Sequence, residues 1–473
     1  MAAIRFGTDG WRAIIGWDFT ADNVRACARG VATYLHKSGM ASRGLVVGYD
    51  TRFASEEFAA EVAQVSTGSG IHTFLCTEPA PTPVVSYGIV HHSAGGAAII
   101  TASHNPHQWN GFKYKPEYAG SASPEVVKAL ESEIDTALRQ EIPSLSLAQA
   151  RKQGLLTDIE PAPPYLARIS QMVDLPPIRS SGLKVATDAM YGSGTGYLPR
   201  LLEGGTASIA ELHGERNPLF PGMAQPEPVA HNRTALSESV VSQGADVGIA
   251  LDGDADRLGV VDEKGRFIST LQVFALLTLY LLEVRGERGP LIKTITMTSM
   301  IYRLGQLFDV PVYETPVGFK YVGPLMTEVN ALAGGEESGG YGFRGHIPER
   351  DGILSGLFIL DMMVKTGKRP SELVDYLFSK VGPHFYDRRD VPFAQERRAE
   401  IEQRVASQRP DALAGKRVTG RDQIDGTRFQ LEGDAWALIR FSGTEPLLRI
   451  YAEAESQEQV GRILEEAQAL AGV

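Results

Sequence analysis

Five short apolar runs, each stopping at a polar residue and followed by apolar residues at helical spacing, set the strongest limit on how this chain can fold. Residues 45–48 lead to Asp50, 97–100 to Thr101, 183–186 to Asp188, 247–251 to Asp252 and 291–295 to Thr296. Runs this short, separated by helical stretches, are the signature of parallel strands joined by crossover helices. The class is α/β, and function is expected at the carboxyl ends of the strands, where the loops of open sheets form binding crevices. With 473 residues and about 100 to 200 residues per domain, the chain has room for three or four domains with separate cores.

Boundaries follow from local composition. Residues 141–164 mix Pro143, Pro161, Pro163 and Pro164 with polar residues and read as a connection. The E-K-G-R turn at 263–266 separates a strand from a helix beginning near Leu271, and a third break falls within 381–390. Beyond it come a polar helix from Arg397, the alternating strand W-A-L-I-R-F, a loop, the strand L-L-R-I-Y-A-E and a helix from near Ser456, an α+β order. The expected division is 1–155, 156–264, 265–382 and 383–473. Similar strand-to-Asp units in the first two parts hint at duplication.

Composition removes several function classes. Lys plus Arg is 46 against Asp plus Glu 57, a net charge of -11, which argues against a general nucleic-acid binder, since that needs a basic surface to displace counterions. Local clusters of Arg and Lys remain able to bind small anions. Two cysteines, Cys27 and Cys76, make no disulfide framework and suit a reducing compartment. The N-terminal segment carries Arg5, Asp9 and Arg12 where a secretory signal needs an apolar core. The apolar run 273–282 is about half the length that crosses a bilayer and contains Thr278, so it reads as a buried helix. A cytoplasmic protein with neither a nucleic-acid nor a membrane partner is expected.

Four constellations carry chemistry. T-A-S-H-N-P, residues 101–106, places Ser103 at a strand's carboxyl end in a turn stiffened by Asn105 and Pro106, a position for a nucleophile or for a plain turn. It lacks the G-x-S-x-G elbow of a Ser-His-Asp hydrolase. D-G-D-A-D-R, residues 252–257, sets Asp252, Asp254 and Asp256 at alternate positions of a tight turn, and carboxylates so close ask for Mg²⁺ or Ca²⁺. An EF-hand is excluded by Arg257 at the sixth position, where that loop needs Gly. T-P-V-G-F-K, residues 315–320, offers Lys320, and G-G-E-E-S-G-G, residues 334–340, offers Glu336 and Ser338 for gripping a polyol. R-F-S-G-T-E-P, residues 440–446, followed by Arg449, supplies two hydroxyls, an exposed backbone and two guanidiniums, a phosphate cradle without a Walker lysine.

Together with F-G-T-D-G-W-R at 6–12, these motifs in this order resemble the α-D-phosphohexomutase family, over nearly the whole chain from Phe6 to Arg449. The family layout is three related α/β domains and a smaller, distinct fourth. T-P-V-G-F-K-Y-V-G-P-L-M and H-I-P-E-R-D-G-I resemble its phosphoglucomutases in particular. Phe319 and Lys320, and Gly339 and Gly340, stand where many mannose/glucose dual enzymes carry a histidine, which favours lysine as the base. The resemblance implies Ser103 as phosphoserine, with Asp252, Asp254, Asp256 and a phosphoserine oxygen holding Mg²⁺. It implies that Arg257 contacts the transferring group, that Arg12 holds the reacting phosphate, and that Lys113 and Lys320 are the acid/base candidates with His104 in support. Glu336 and Ser338 would read sugar hydroxyls, and Arg440, Ser442, Gly443, Thr444 and Arg449 would bind the non-transferring phosphate. The implied reaction interconverts glucose 1-phosphate and glucose 6-phosphate through glucose 1,6-bisphosphate, with phosphomannomutase or dual activity, then phosphoglucosamine mutase, as alternatives. A phosphatase and a non-catalytic sugar-phosphate binder are the rivals from other classes. A base lysine of lowered pKa, a last domain that closes over the substrate, and a monomer or homodimer are also expected, as is rejection of glucosamine phosphates by contacts elsewhere around C2, because the loop reads E-E-S rather than the E-Q-S of glucosamine-type enzymes.

Overall fold

The computed structural model describes residues 4–229, 232, 234–442 and 446–473, and among these the strands gather into four sheets. All five apolar runs lie in strands: Leu45–Tyr49, Gly96–Ile100, Lys184–Asp188, Val247–Leu251 and Leu291–Thr294. Apart from Lys184 every residue in them is buried, the pattern of parallel strands covered on both faces.

The first three sheets share one plan. In the first, Leu45–Tyr49 lies between Thr73–Cys76 and Gly96–Ile100, parallel to both, and Gly96–Ile100 turns back into the antiparallel strand Trp109–Pro116. In the second, Lys184–Asp188 lies between Ser208–Leu212 and Val247–Leu251, which turns back into Leu258–Asp262. In the third, Leu291–Thr294 lies between Val312–Thr315 and Ala333–Gly335, which turns back into Tyr341–Phe343. The duplication thus extends to three units. The turn between the last parallel strand and its antiparallel partner holds residues 101–108, 252–257 and 336–340, so three of the sequence motifs occupy equivalent places.

Two of the expected boundaries move. Leu156–Ile159 pairs with Thr73–Cys76 as the edge strand of the first sheet, so that sheet reaches past residue 155. The proline-rich segment around it also contains the helix Leu147–Lys152, capped by Ser146. Phe267–Ile268 pairs with Leu258–Asp262, so the second sheet reaches past residue 264.

Separate cores were expected for each unit, but one apolar core runs unbroken through all three, from Ile4 to Val381. Two helices join it together. Thr270–Leu279, which holds most of the apolar run 273–282, is buried on nearly every side, and Gly352–Thr366 is apolar almost all round, so each needs partners on several faces. Gly352 meets Leu251 and Gly356 meets Ile249 of the second sheet, which ties the third unit to the second. No helix among the described residues is long and apolar enough to cross a membrane.

The last part is α+β. Six antiparallel strands, from Phe385–Pro392 to Leu447–Ala454, are covered by the helices Arg398–Ser407 and Gln457–Ala471 over a core of their own. It is anchored to the third unit through Ile295, Trp436, Leu438 and Tyr451 and through the buried Glu453 carboxylate. That carboxylate accepts hydrogen bonds from the Ser299 amide at 2.7 Å, the Trp436 indole at 2.7 Å and the Thr298 hydroxyl.

Phe274 stacks on Tyr341 at 5.4 Å and covers the backbone of Gly335, all within the shared core. Phe274→Ala should destabilise the protein by about 3 to 5 kcal/mol in chemical denaturation. Hydrogen exchange should then quicken across the first three units while protection persists within 398–471. Equal loss of protection in the last domain would show that the two cores are not separate.

Candidate active site

The strand Gly96–Ile100 delivers Ser103 into a turn with φ +52°, a left-handed conformation that a non-glycine residue holds only when its surroundings fix it. The Ser103 amide donates to Thr101 Oγ1 at 2.8 Å. The wholly buried Arg52 donates to the carbonyls of Ser103 and Asn105 at 2.6 Å, Pro106 at 3.0 Å and Trp109 at 3.1 Å, with Asp50 at 3.2 Å as counter-charge. Arg52 was not expected as a site residue, although an arginine two residues after a strand-ending Asp50 was a usable signal. Arg12 reaches the same turn and donates to Asn105 Oδ1 at 2.6 Å. It passes over Gly111, where a Cβ would lie 2.4 Å from the Thr101 carbonyl. His104 Nδ1 lies 3.2 Å from Ser103 Oγ. Burial, with the nearby cations Arg257, Arg12, Arg52 and Lys113, holds that imidazole well below its ordinary pKa, so a neutral ring faces the hydroxyl.

The turn 252–257 meets the serine turn backbone to backbone: a Cβ on Gly253 would fall 2.4 Å from the Ser103 carbonyl. Asp252, Asp254 and Asp256 are buried, and each offers an oxygen within 4.8 Å of the others. Ser103 Oγ donates to Asp252 Oδ2 at 3.1 Å. Asp254 Oδ2 accepts from Thr82 at 2.5 Å and Lys113 at 2.7 Å, and Asp256 Oδ2 from Lys113 at 3.3 Å with Arg350 at 2.9 Å. The second oxygens, Asp254 Oδ1 and Asp256 Oδ1, are buried and accept no hydrogen bond among the described residues. Burial, then Asp256 and Asp254, push the Asp252 carboxyl well up. Buried carboxylate oxygens with no donor, in an all-oxygen set, fit a hard divalent cation. Arg257 closes the turn: its amide donates to Asp252 Oδ1 at 3.1 Å, and its guanidinium pairs with Glu227 and stands 3.9 Å from Asp252 and Asp256.

Lys113 departs from expectation. Its ammonium lies 2.7 Å from Asp254, 2.9 Å from Asp9 and 3.3 Å from Asp256. Burial opposes its charge, but these three carboxylates outweigh burial and raise the pKa where a lowered one was expected. Lys115, two residues along the same strand face, bonds Asp9 at 2.8 Å and Glu349 at 2.6 Å. Arg350 bonds Asp9 at 2.5 Å and Glu349 at 3.1 Å. Asp9, Lys115, Glu349 and Arg350 were not singled out, although alternate lysines on a buried strand, N-G-F-K-Y-K, were visible. Lys320 is half-buried at the start of the helix Phe319–Glu328, its nitrogen 5.4 Å from the Tyr321 ring centre, with no ion pair among the described residues.

The turn 336–340 is held against the metal turn by the Leu258 amide, which donates to the Gly339 carbonyl at 2.9 Å. Glu336 is buried, and burial raises its carboxyl against the pull of Arg350 and Arg257. Ser338 is half-buried beside it. Glu337, the middle residue of E-E-S, accepts from Tyr386 at 2.7 Å and Arg388 at 3.3 Å of the last domain. In that domain Arg440 and Arg449 are directly opposed on neighbouring antiparallel strands. Like charges in that register repel unless an anion lies between them. Asp425 bonds Arg440 at 2.9 Å and accepts the Val317 amide at 3.0 Å, which links the Arg440 strand to the Lys320 loop. Ser442 is buried, its amide donating to Leu447 at 2.8 Å. Gly443 and Thr444 lie outside the described residues.

Comparison with known proteins agrees with this geometry along the whole chain. Models of phosphoglucomutase/phosphomannomutase α/β/α domains I, II and III match residues 3–141, 163–265 and 271–381, and that of the C-terminal domain matches 398–470. A "Phosphoglucomutase/phosphomannomutase" of Thermococcus kodakarensis is 32% identical, covering 97% of this chain and 96% of its own. A "Probable phosphoglucosamine mutase" of Methanothermobacter thermautotrophicus is 31% identical at the same coverage. The crystal structure of a "putative phosphomannomutase" from Thermus thermophilus is 33% identical, with a TM-score of 0.86 and 100% of both chains covered. The chain belongs to the phosphoglucomutase/phosphomannomutase family, the α-D-phosphohexomutases, and is an isomerase-class phosphotransferase.

Proposed function

We propose that the enzyme is a phosphoglucomutase, interconverting glucose 1-phosphate and glucose 6-phosphate through a phosphoserine at Ser103 and glucose 1,6-bisphosphate. The observation that carries this is the meeting of three equivalent turns at one point, with Ser103 Oγ 3.1 Å from the acidic triad and Glu336 beside it. Preference for glucose draws on the T-P-V-G-F-K-Y-V-G-P-L-M and H-I-P-E-R-D-G-I segments. Glu336 and Ser338 would bond the C3 and C4 hydroxyls, which glucose and mannose share, so a lesser activity on mannose 1-phosphate is part of the proposal.

Phosphoryl transfer depends on positioning and charge neutralisation more than on elaborate covalent chemistry. Mg²⁺ held by Asp252, Asp254, Asp256 and a phosphoserine oxygen would supply positive charge to the transferring group. Arg12 and Arg257 bracket the same group, one bonded to the serine turn and the other to the metal turn. A sugar hydroxyl attacks phosphorus, losing its proton, and the bond to Ser103 Oγ breaks; His104, 3.2 Å away, takes the serine proton at Nδ1 when the serine is phosphorylated, becoming imidazolium, and returns it to Oγ in this step, becoming neutral. Lys113 is committed to three carboxylates and acts as fixed positive charge, so exchange of the sugar proton is assigned to Lys320. With glucose 1-phosphate as substrate, Arg440 and Arg449 hold the idle phosphate first at C1, while O6 takes the phosphoryl group from Ser103, and then at C6, while the C1 phosphoryl group returns to the serine.

Phosphorus NMR of glucose 1-phosphate turnover separates the rivals: a mutase yields the 6-phosphate, a phosphatase yields inorganic phosphate and a binder yields neither. The 6-phosphate is expected, with kcat/KM highest for glucose, lower for mannose and lowest for glucosamine 1-phosphate. Ser103→Ala should abolish turnover with the fold intact, because its hydroxyl supplies the whole covalent step. A preference for mannose or glucosamine would overturn the glucose assignment alone, and normal turnover by Ser103→Ala would overturn the nucleophile.

Exhaustive chelation should stop turnover reversibly, with Mg²⁺ restoring it, and Asp254→Asn should raise the Mg²⁺ concentration needed for half-maximal rate. Full activity in excess chelator would leave the acidic turn a purely structural feature.

A further inference from the structure

Arg350 is 5% exposed and uses each of its nitrogens in a different place. One terminal nitrogen lies 2.5 Å from Asp9 of the first unit and 2.9 Å from Asp256 of the acidic triad. The other lies 3.9 Å from Glu336, and Nε lies 3.1 Å from Glu349. The guanidinium also sits 5.6 Å from the ring centre of Phe319, the residue before Lys320. Its stem runs against Gly340, where a Cβ would fall 2.3 Å from Arg350 Cδ and 2.7 Å from Cγ. Its own anchor is rigid, because Glu349 is fully buried and is bonded by Lys115 at 2.6 Å and Ser121 at 3.0 Å.

We infer that Arg350 is a positioning residue, which fixes Asp256 for the cation and Glu336 for the sugar through one guanidinium spanning the three α/β units. The inference rests on the assignment of those two carboxylates under the proposed function. A side chain that only balanced charge would need no fork. Here three nitrogens serve four carboxylates from separate segments, and a lysine, with one nitrogen at a single point, cannot reproduce that arrangement.

The test measures Mn²⁺ binding to the unphosphorylated full-length protein by electron paramagnetic resonance, alongside KM and kcat for glucose 1-phosphate. Arg350→Lys keeps the charge and loses the fork. It should weaken Mn²⁺ binding about tenfold, the scale seen when groups that orient metal ligands are altered, and should raise KM more than it lowers kcat. Arg350→Gln should also weaken Mn²⁺ binding, although it leaves the site more negative, whereas simple repulsion between Arg350 and the cation predicts tighter binding. Gly340→Ala displaces the arginine stem without changing any charge and should move Mn²⁺ affinity and KM in the same direction, which keeps the test decisive if the Arg350 variants fail to fold. Wild-type Mn²⁺ affinity and KM in Arg350→Lys or Gly340→Ala, or tighter Mn²⁺ binding in Arg350→Gln, would overturn the inference. Should the wild-type enzyme convert none of the hexose 1-phosphates, the functional reading would fail by itself, and the Mn²⁺ measurements would still decide the role of Arg350 toward Asp256.

Discussion

Asp252, Asp254 and Asp256 bring three carboxylates within 4.8 Å of one another in a place that water does not reach. Charge of that density in a low-dielectric interior is costly unless cations and donors surround it. The triad sits on the second unit, but of its cations only Arg257 comes from the same turn; Lys113 comes from the first unit and Arg350 from the third. Satisfying the carboxylates therefore draws the three units together, and the unbroken core behind them follows the same arrangement. Asp254 and Asp256 are each neutralised on Oδ2 by this web, while their Oδ1 atoms accept no hydrogen bond among the described residues and could take a cation.

The repeated sheet plan explains how one site arises from distant segments. Each unit contributes the turn between its last parallel strand and the antiparallel strand that follows, and these turns bear Ser103, the acidic triad and Glu336. Turns of this kind stand on buried strands, so their side chains are aimed by rigid elements rather than by free loops. The last domain, with its own core, brings the opposed pair Arg440 and Arg449. Glu337 and Asp425 connect that domain to the Glu336 turn and to the Lys320 loop.

What the sequence discloses follows from whether a feature is contiguous. The five apolar runs became strands because full burial writes itself as consecutive apolar residues. The acidic turn was legible because its three carboxylates are neighbours in sequence. Leu156–Ile159 was hidden among prolines with two exposed side chains, and Lys416–Asp422 alternates exposed and half-buried positions with little apolar content, so neither announced a strand. Arg350 and Asp9 are separated by 341 positions, and no local pattern reports their pairing. The raised pKa of Lys113 has the same origin, because the carboxylates that decide it, Asp9 and Asp254, reach it only in the fold.

The central claim is that the phosphoryl group passes between Ser103 and the sugar at this assembled site. It is tested most directly by loading Ser103 with ³²P, adding unlabelled glucose 1-phosphate and following the label. The account predicts that the label leaves the protein, appears in glucose 1,6-bisphosphate and is recovered in glucose 6-phosphate. Label that stays on the protein while glucose 6-phosphate forms, or that leaves as inorganic phosphate, would contradict it.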